Sequence, residues 1–368
     1  MAQRDFIGIG IIGAGFARTT QIPAFRACEG ARVVAIASRH QENAGRVARE
    51  FSIEHATGDW RQVIAREDVD LVSIVTPPST HMEMTLAALG AGKAVLCEKP
   101  TAMNAGEADR MRRHAGQTQL LALIDHELRF VPGRLKMREL LRRGEIGQVR
   151  HAKLLYRSDA RATAERRWDW WSDAASGGGA LGAIGSHAID GFRWLLGAEV
   201  SHVFASLSTH VAERADALTG ELRRVTTDDE CNLLLRFADT GLTSGATGAV
   251  SLSVTEQGPP AHRLEIFGSK GALMEDGGQL WHAETGAGEW TRVEAGRGDL
   301  APGMHDSEWS RGFTLFARAI VAALRAGQSR VEGAATFDDG YSTQLVLDAA
   351  QRSHRSGRLE EVTLSPEG

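Results

Sequence analysis

Cysteine is scarce: Cys28, Cys97 and Cys231 are the only three in 368 residues, far apart and with no C-x-x-C pair. That spacing argues against a disulfide framework and against a cysteine-built zinc site, so no metal is expected. No apolar run approaches the roughly 18 residues that a membrane span needs. The opening MAQRDFIGIGIIGAG lacks a cleavable leader pattern, because its apolar run passes straight into a glycine turn. Basic charge is not in excess: 42 Lys and Arg against 47 Asp and Glu leave a net charge of −5. A nucleic-acid footprint would want a basic face, so no nucleic-acid partner is expected. These absences together predict a cytoplasmic protein with neither membrane nor nucleic acid as partner. What is present is ordinary for a globular chain, with 42% hydrophobic and 24% charged residues. The length favours two domains over one core. There is no internal repeat.

The first third alternates strand and helix. Phe6–Ile12 reads as a buried strand, followed at once by Gly13-Ala14-Gly15-Phe16-Ala17-Arg18. A G-x-G-x-x-G match at Gly8, Gly10 and Gly13 lies inside the strand and is a false hit. The useful pair is Gly13, for a tight turn, and Gly15, which lets backbone approach a pyrophosphate where a helix begins near Arg18 or Thr19. The third glycine of that fingerprint is replaced by Arg18. The next strand, Arg32–Ala37, ends in Ser38-Arg39-His40, where a fold preferring NAD usually places an acidic residue. A hydroxyl and a guanidinium there suit an extra 2′-phosphate, so NADP is expected over NAD. The other reading makes Arg39 a solvated residue opening the helix Gln41–Phe51.

Asp70–Val75 is a continuous apolar strand of the kind buried on both faces in a parallel sheet. It runs into Thr76-Pro77-Pro78-Ser79-Thr80-His81, where Ser79 or Thr80 is placed to cap a helix over Met82–Ala91. The strand ending at Cys97 then stops at Glu98-Lys99-Pro100. Pro100 disfavours the helical region for Lys99, holding it extended at a strand end, where ligands bind in an open parallel sheet. A lysine there can hydrogen-bond a substrate hydroxyl or offset a developing alkoxide; it can equally be a surface residue paired with Glu98. Helix over Asn104–His114 and strand over Leu120–Ile124 complete a doubly wound Rossmann pattern.

Gly13-x-Gly15, Thr76-Pro77-Pro78-x-x-His81 and Glu98-Lys99-Pro100, in this order, resemble the Gfo/Idh/MocA oxidoreductase family. The likeness continues through the rest of the chain. It implies a Rossmann dinucleotide-binding domain over residues 1–125 and an α+β domain with a large, mostly antiparallel sheet over 126–368. It also implies hydride transfer between a nicotinamide and a sugar, cyclitol or related polyol. Gly13, Gly15, Phe16, Ala17, Ser38, Arg39, Thr76, Pro77, His81, Glu98 and Lys99 would then line the cofactor. His126, in the segment His126–Pro132, would look into the substrate pocket, or be a histidine bonded to backbone. In Gly177–Gly197 the pattern resembles the family motif G-G-G-x-L-x-D-x-G-x-H-x-x-D. His187 takes the catalytic histidine position beside Lys99, and Asp190 the closing Asp. The first Asp is absent, because position 183 is alanine.

Ala183, His187, Asp190 and Trp194 share one face on regular helical spacing. Trp168-Asp169-Trp170-Trp171 is a dense aromatic patch in a chain only 6% aromatic. Trp168 or Trp170 is expected to stack on a carbohydrate-like substrate, unless the patch only anchors a loop. The family also contains NAD-dependent glycoside hydrolases that oxidise transiently and regulators that only sense a ligand, and both remain alternatives. Alternating strands over 202–282 predict an antiparallel sheet with one apolar face, hence a homodimer or homotetramer.

Overall fold

In a computed structural model, residues 5–217 and 219–363 are described. The chain divides into two compact units, Met1–Ala102 with Gly106–Val131 and Gly298–Gly340, and Met103–Ala105 with Pro132–Arg297 and Tyr341–Gly368.

The first unit begins with β1 (Ile7–Ile12), α1 (Gly15–Thr19), α2 (Gln21–Arg26), β2 (Ala31–Ala37), α3 (Gln41–Phe51), β3 (His55–Thr57) and α4 (Trp60–Ile64). β4 (Leu71–Ile74), α5 (His81–Gly90), β5 (Ala94–Cys97), α6 (Ala105–Gly116) and β6 (Ala122–Ile124) follow. β4 and β5 are buried along their whole length, as a strand covered on both faces must be. β1 lies between β4 and β2 with both pairings parallel, so the strand order reverses there, which is where open α/β sheets bind ligands. Two helix starts differ from expectation. α1 begins at Gly15 directly after the turn, because Gly13 alone makes the reversal. Thr80 does not cap α5 with its side chain; its hydroxyl donates to Thr76 Oγ1 at 2.8 Å and to the Pro77 carbonyl at 2.9 Å, closing one 3₁₀ turn.

The second unit contains α7 (Pro132–Arg142), β7 (Val149–Arg157), α8 (Ser186–Leu196), β8 (Val200–Ser208) and a short hairpin of β9 (Glu213–Ala215) and β10 (Leu222–Arg224). β11 (Glu230–Phe237), β12 (Thr243–Ser253), β13 (Ala261–Gly268), β14 (Gly271–Asp276), β15 (Gln279–Glu284) and β16 (Thr291–Val293) continue its main sheet. After α9 (Glu308–Arg325) and β17 (Ala335–Thr336), which belong to the first unit, come α10 (Phe337–Ser356) and β18 (Glu360–Glu361). Nine strands run in the order β16-β15-β14-β13-β7-β12-β11-β8-β18, antiparallel except for β12 beside β7. Leu233 and Leu235 on β11 point to the core with Phe192 and Leu195 of α8, while Leu234 stays exposed on the other face. That alternation is the period of a sheet covered on one side.

Candidate active site

In the first unit, every segment singled out for cofactor binding leaves the carboxyl end of a parallel strand. Gly13 follows β1, Ser38 follows β2, Thr76 follows β4, and Glu98 and Lys99 follow β5; His126, singled out for the substrate pocket, lies just past β6. Gly13 has φ +114°, and a Cβ there would stand 2.1 Å from the Val75 carbonyl, so glycine is required by the protein itself. Gly15 differs: no heavy atom lies within 4 Å of where its Cβ would be. Ala14 gives α1 no side-chain cap, and the first turn holds no acidic residue. Open space beside uncapped amides fits the pyrophosphate of a dinucleotide. Phe16 is exposed and Ala17 fully buried. Ser38 is half-buried, while Arg39 and His40 are exposed at the start of α3.

Lys99 is half-buried between buried Glu98 and buried Pro100. His81 stiffens this corner. Its ring is fully buried, with Nδ1 3.0 Å from the Pro100 carbonyl and Nε2 2.8 Å from the Thr76 carbonyl, so it ties the β4 and β5 turns together. Burial pushes its pKa down, with the nearby Lys99 charge adding to the effect, so the ring is neutral and donates to one carbonyl at a time. Glu98 is turned inward, and its carboxylate accepts from Gln21 Nε2 at 2.9 Å. His126 is buried too, ahead of a 3₁₀ turn over Glu127–Phe130.

The second unit carries His187 and Asp190 on α8, both almost fully buried. A π-helical stretch, Leu181–Gly185, precedes α8. It shifts Ala183 off the regular spacing that would align it with His187, a correction to the shared face read from the sequence. His187, Asp190 and Trp194 keep regular spacing within α8. Single π turns recur at functional sites because they re-aim the residues that follow. The entry to this helix is held by Asp228, whose carboxylate accepts from the Leu181 amide at 2.7 Å and whose carbonyl accepts from Ala180 at 3.0 Å. Its carboxyl is pushed up to about 6, chiefly because it is withdrawn from water. Arg193 forks onto Glu199 with bonds of 2.6 and 2.7 Å.

The tryptophan loop is pinned from several sides. Arg214, 2% exposed, donates to the carbonyls of Arg161 and Thr163, both at 2.6 Å. The Trp168 indole donates to the Arg224 carbonyl at 3.2 Å, and Arg223 lies over its face. Trp171 packs against the core, and Trp170 remains 39% exposed. Gln21, Asp125, Asp228 and Arg214 were not singled out from sequence; none sits in a glycine turn or an apolar period that would mark it.

Residues 7–126 match a family described as oxidoreductases with an NAD-binding Rossmann fold, and residues 135–274 match the GFO/IDH/MocA C-terminal domain. Glucose-fructose oxidoreductase domain-containing protein 2 of Mus musculus is 30% identical, over 98% of this chain and 94% of that protein. Levoglucosan dehydrogenase of Pseudarthrobacter phenanthrenivorans is 32% identical over 73% of each chain. A solved structure of a levoglucosan dehydrogenase with NADH and levoglucosan superposes with a TM-score of 0.86 at 27% identity, covering 97% of this chain and 100% of that one.

Proposed function

Because the chain belongs to the GFO/IDH/MocA family of NAD-binding oxidoreductases, we propose that it transfers hydride between a nicotinamide cofactor and a CH–OH group of a sugar, anhydrosugar or cyclitol. The observation that carries this reading is the alignment of Gly13, Ser38, Thr76, Glu98 and Lys99 at the carboxyl ends of neighbouring parallel strands. The bound nicotinamide supplies the hydride chemistry. This chain's residues handle binding and the proton. Gly13, Gly15, Phe16 and Ala17 form the turn for the pyrophosphate. Thr76 and Pro77 wall the next turn, which His81 supports from beneath. Glu98 acts from the interior, through the segment that presents Lys99.

His187 is the proton donor or acceptor at the reacting oxygen, and Lys99 holds that oxygen and offsets its negative charge. Asp190 and His126 serve the substrate pocket. Trp170 is favoured for stacking on the substrate because its side chain is exposed, whereas the Trp168 face is taken by Arg223. Ser38 and Arg39 in place of an acidic residue support a preference for NADP(H), although the levoglucosan dehydrogenase structure holds NADH. The reading includes a cytoplasmic location and self-association through the open face of the nine-stranded sheet.

The test is nicotinamide absorbance followed across sugars, anhydrosugars, inositols and their keto forms. Lys99→Ala and His187→Ala should each lose about 10² to 10⁴ in rate while cofactor affinity holds. If both variants keep most of the activity, the proton assignment is wrong. Ala183, buried where the family motif has a carboxylate, gives one second reading its support. Wild-type protein that binds cofactor and sugar but turns over no member of the panel is a sensor.

A further inference from the structure

Three consecutive residues of the second unit, Thr226, Thr227 and Asp228, bond to both the tryptophan loop and the entry to α8. The Thr226 hydroxyl accepts the Ala174 amide at 2.9 Å, and the Thr226 amide donates to the Ser172 carbonyl at 3.0 Å. The Thr227 hydroxyl donates to the Trp171 carbonyl at 2.9 Å. One residue on, the Asp228 carboxylate accepts the Leu181 amide and the Asp228 carbonyl accepts that of Ala180. One short stretch therefore grips Trp171–Ala174 with its first two residues and Ala180–Leu181 with its third.

The gripped segments also press on each other. A Cβ on Gly178 would collide with the Trp171 carbonyl, and one on Gly179 with the Asp228 carboxylate. The bonds from Arg214 and from the Trp168 indole hold the loop before Trp170. Past Trp170, Arg161 reaches the Ser172 hydroxyl at 3.1 Å, while the Trp171 and Ser172 carbonyls go to Thr227 and Thr226. Thr227 is 6% exposed, so little water can replace its hydroxyl if that bond is lost.

We propose that Thr226–Asp228 is a clasp that fixes the tryptophan loop against the helix carrying His187, with Thr227 as a positioning residue for substrate. The role rests on the reading that Trp170 stacks on the sugar and His187 moves its proton. Trp170 directly precedes the gripped Trp171, and α8 follows the gripped Leu181 after one π turn. Loosening the clasp lets the stacking face drift relative to the histidine, so sugar binding weakens first. The residues read as cofactor-binding belong to the first unit, which makes cofactor affinity the internal control.

Thr227→Val keeps the shape of the side chain and loses the hydroxyl, whereas Thr227→Ser keeps the hydroxyl. Amide exchange read by mass spectrometry on the whole apoprotein needs no substrate. In Thr227→Val, exchange should quicken about tenfold over both 170–176 and 179–183, and Thr227→Ser should restore it. The KM for the best sugar of the panel should rise about tenfold in Thr227→Val, with kcat and cofactor affinity within about twofold of wild type. Exchange quickened over 170–176 alone would make Thr227 a loop anchor and overturn the clasp, as would no change at all. An unchanged KM, or a loss that extends to cofactor affinity or that Thr227→Ser fails to restore, would overturn the positioning role. Wild type that turns over no sugar would overturn the functional reading instead, and exchange would still decide the clasp.

Discussion

Asp228 shows how a single residue can set the geometry of a helix several turns long. Its carboxylate accepts the Leu181 amide, and its Oδ1 stands 2.4 Å from where a Cβ on Gly179 would be. Raised to about 6 against an ordinary aspartate near 4, the group binds its proton more tightly folded than unfolded. The stability it contributes is therefore fully present below about pH 4 and is lost as pH rises through 6. Asp228→Asn keeps an acceptor for Leu181 and cannot titrate. Its stability relative to wild type should rise between pH 4 and pH 7 by about 2 kcal/mol, because the unfolded-state carboxyl is already about half ionised at pH 4. Urea melts at intervals across that range check it, and a pH-independent difference would contradict it. Arg39 is a simpler case at this scale. Its exposed guanidinium makes Arg39→Ala the discriminating variant, expected to lose NADP(H) affinity about tenfold with NAD(H) affinity unchanged. Equal losses for both cofactors would remove the 2′-phosphate from the argument. Arg39 could be singled out as a candidate from sequence because it occupies a position with a chemical meaning. Asp228 could not, since Thr226-Thr-Asp-Asp-Glu looks like any polar turn until the fold brings it to Leu181.

At the scale of elements, the glycines separate what the fold needs from what a ligand needs. Gly13→Ala meets both a positive φ and the Val75 carbonyl, so it should lower the melting temperature by several degrees and cofactor affinity with it. Gly15→Ala meets no protein atom and sits at the first turn of α1, so melting should be unchanged while cofactor affinity falls at least tenfold. Isothermal titration beside calorimetry reads both. Normal cofactor affinity in Gly15→Ala would mean that the open space beside it is not the pyrophosphate's. A third glycine is kept for packing inside a helix: at Gly340 of α10 a Cβ would press on Thr101 Oγ1. The parallel strands were legible because burial on both faces makes them continuous apolar runs. The β9–β10 hairpin was not; its residues are mostly charged, and Arg214 holds it to the tryptophan loop through main-chain carbonyls.

The largest scale concerns the outer face of the nine-stranded sheet, which the helices leave open. Phe204 on β8 and Leu234 on β11 are register partners there, and Leu234 in turn pairs with Ala249 on β12. Phe204 is 36% and Leu234 58% exposed, and Leu155 of β7 lines the same shallow groove. Lys153, Ser206, Asn232, Ser251 and Glu265 surround these apolar residues, so the patch has an apolar centre and a polar rim. That is the anatomy of an association surface, and closed two-fold pairing is the commonest way for one chain to cover it. A second copy seated here would bury Leu234 near the middle of the contact, where an unpaired carboxylate is costly. Leu234→Glu should therefore raise the dimer dissociation constant about a hundredfold or more while leaving each monomer folded, because in the single chain that side chain faces solvent. Sedimentation velocity over a concentration series, with circular dichroism as the folding control, measures both. A wild-type protein that is monomeric at micromolar concentration, or a variant that associates as tightly as wild type, would mean that some other partner covers this face.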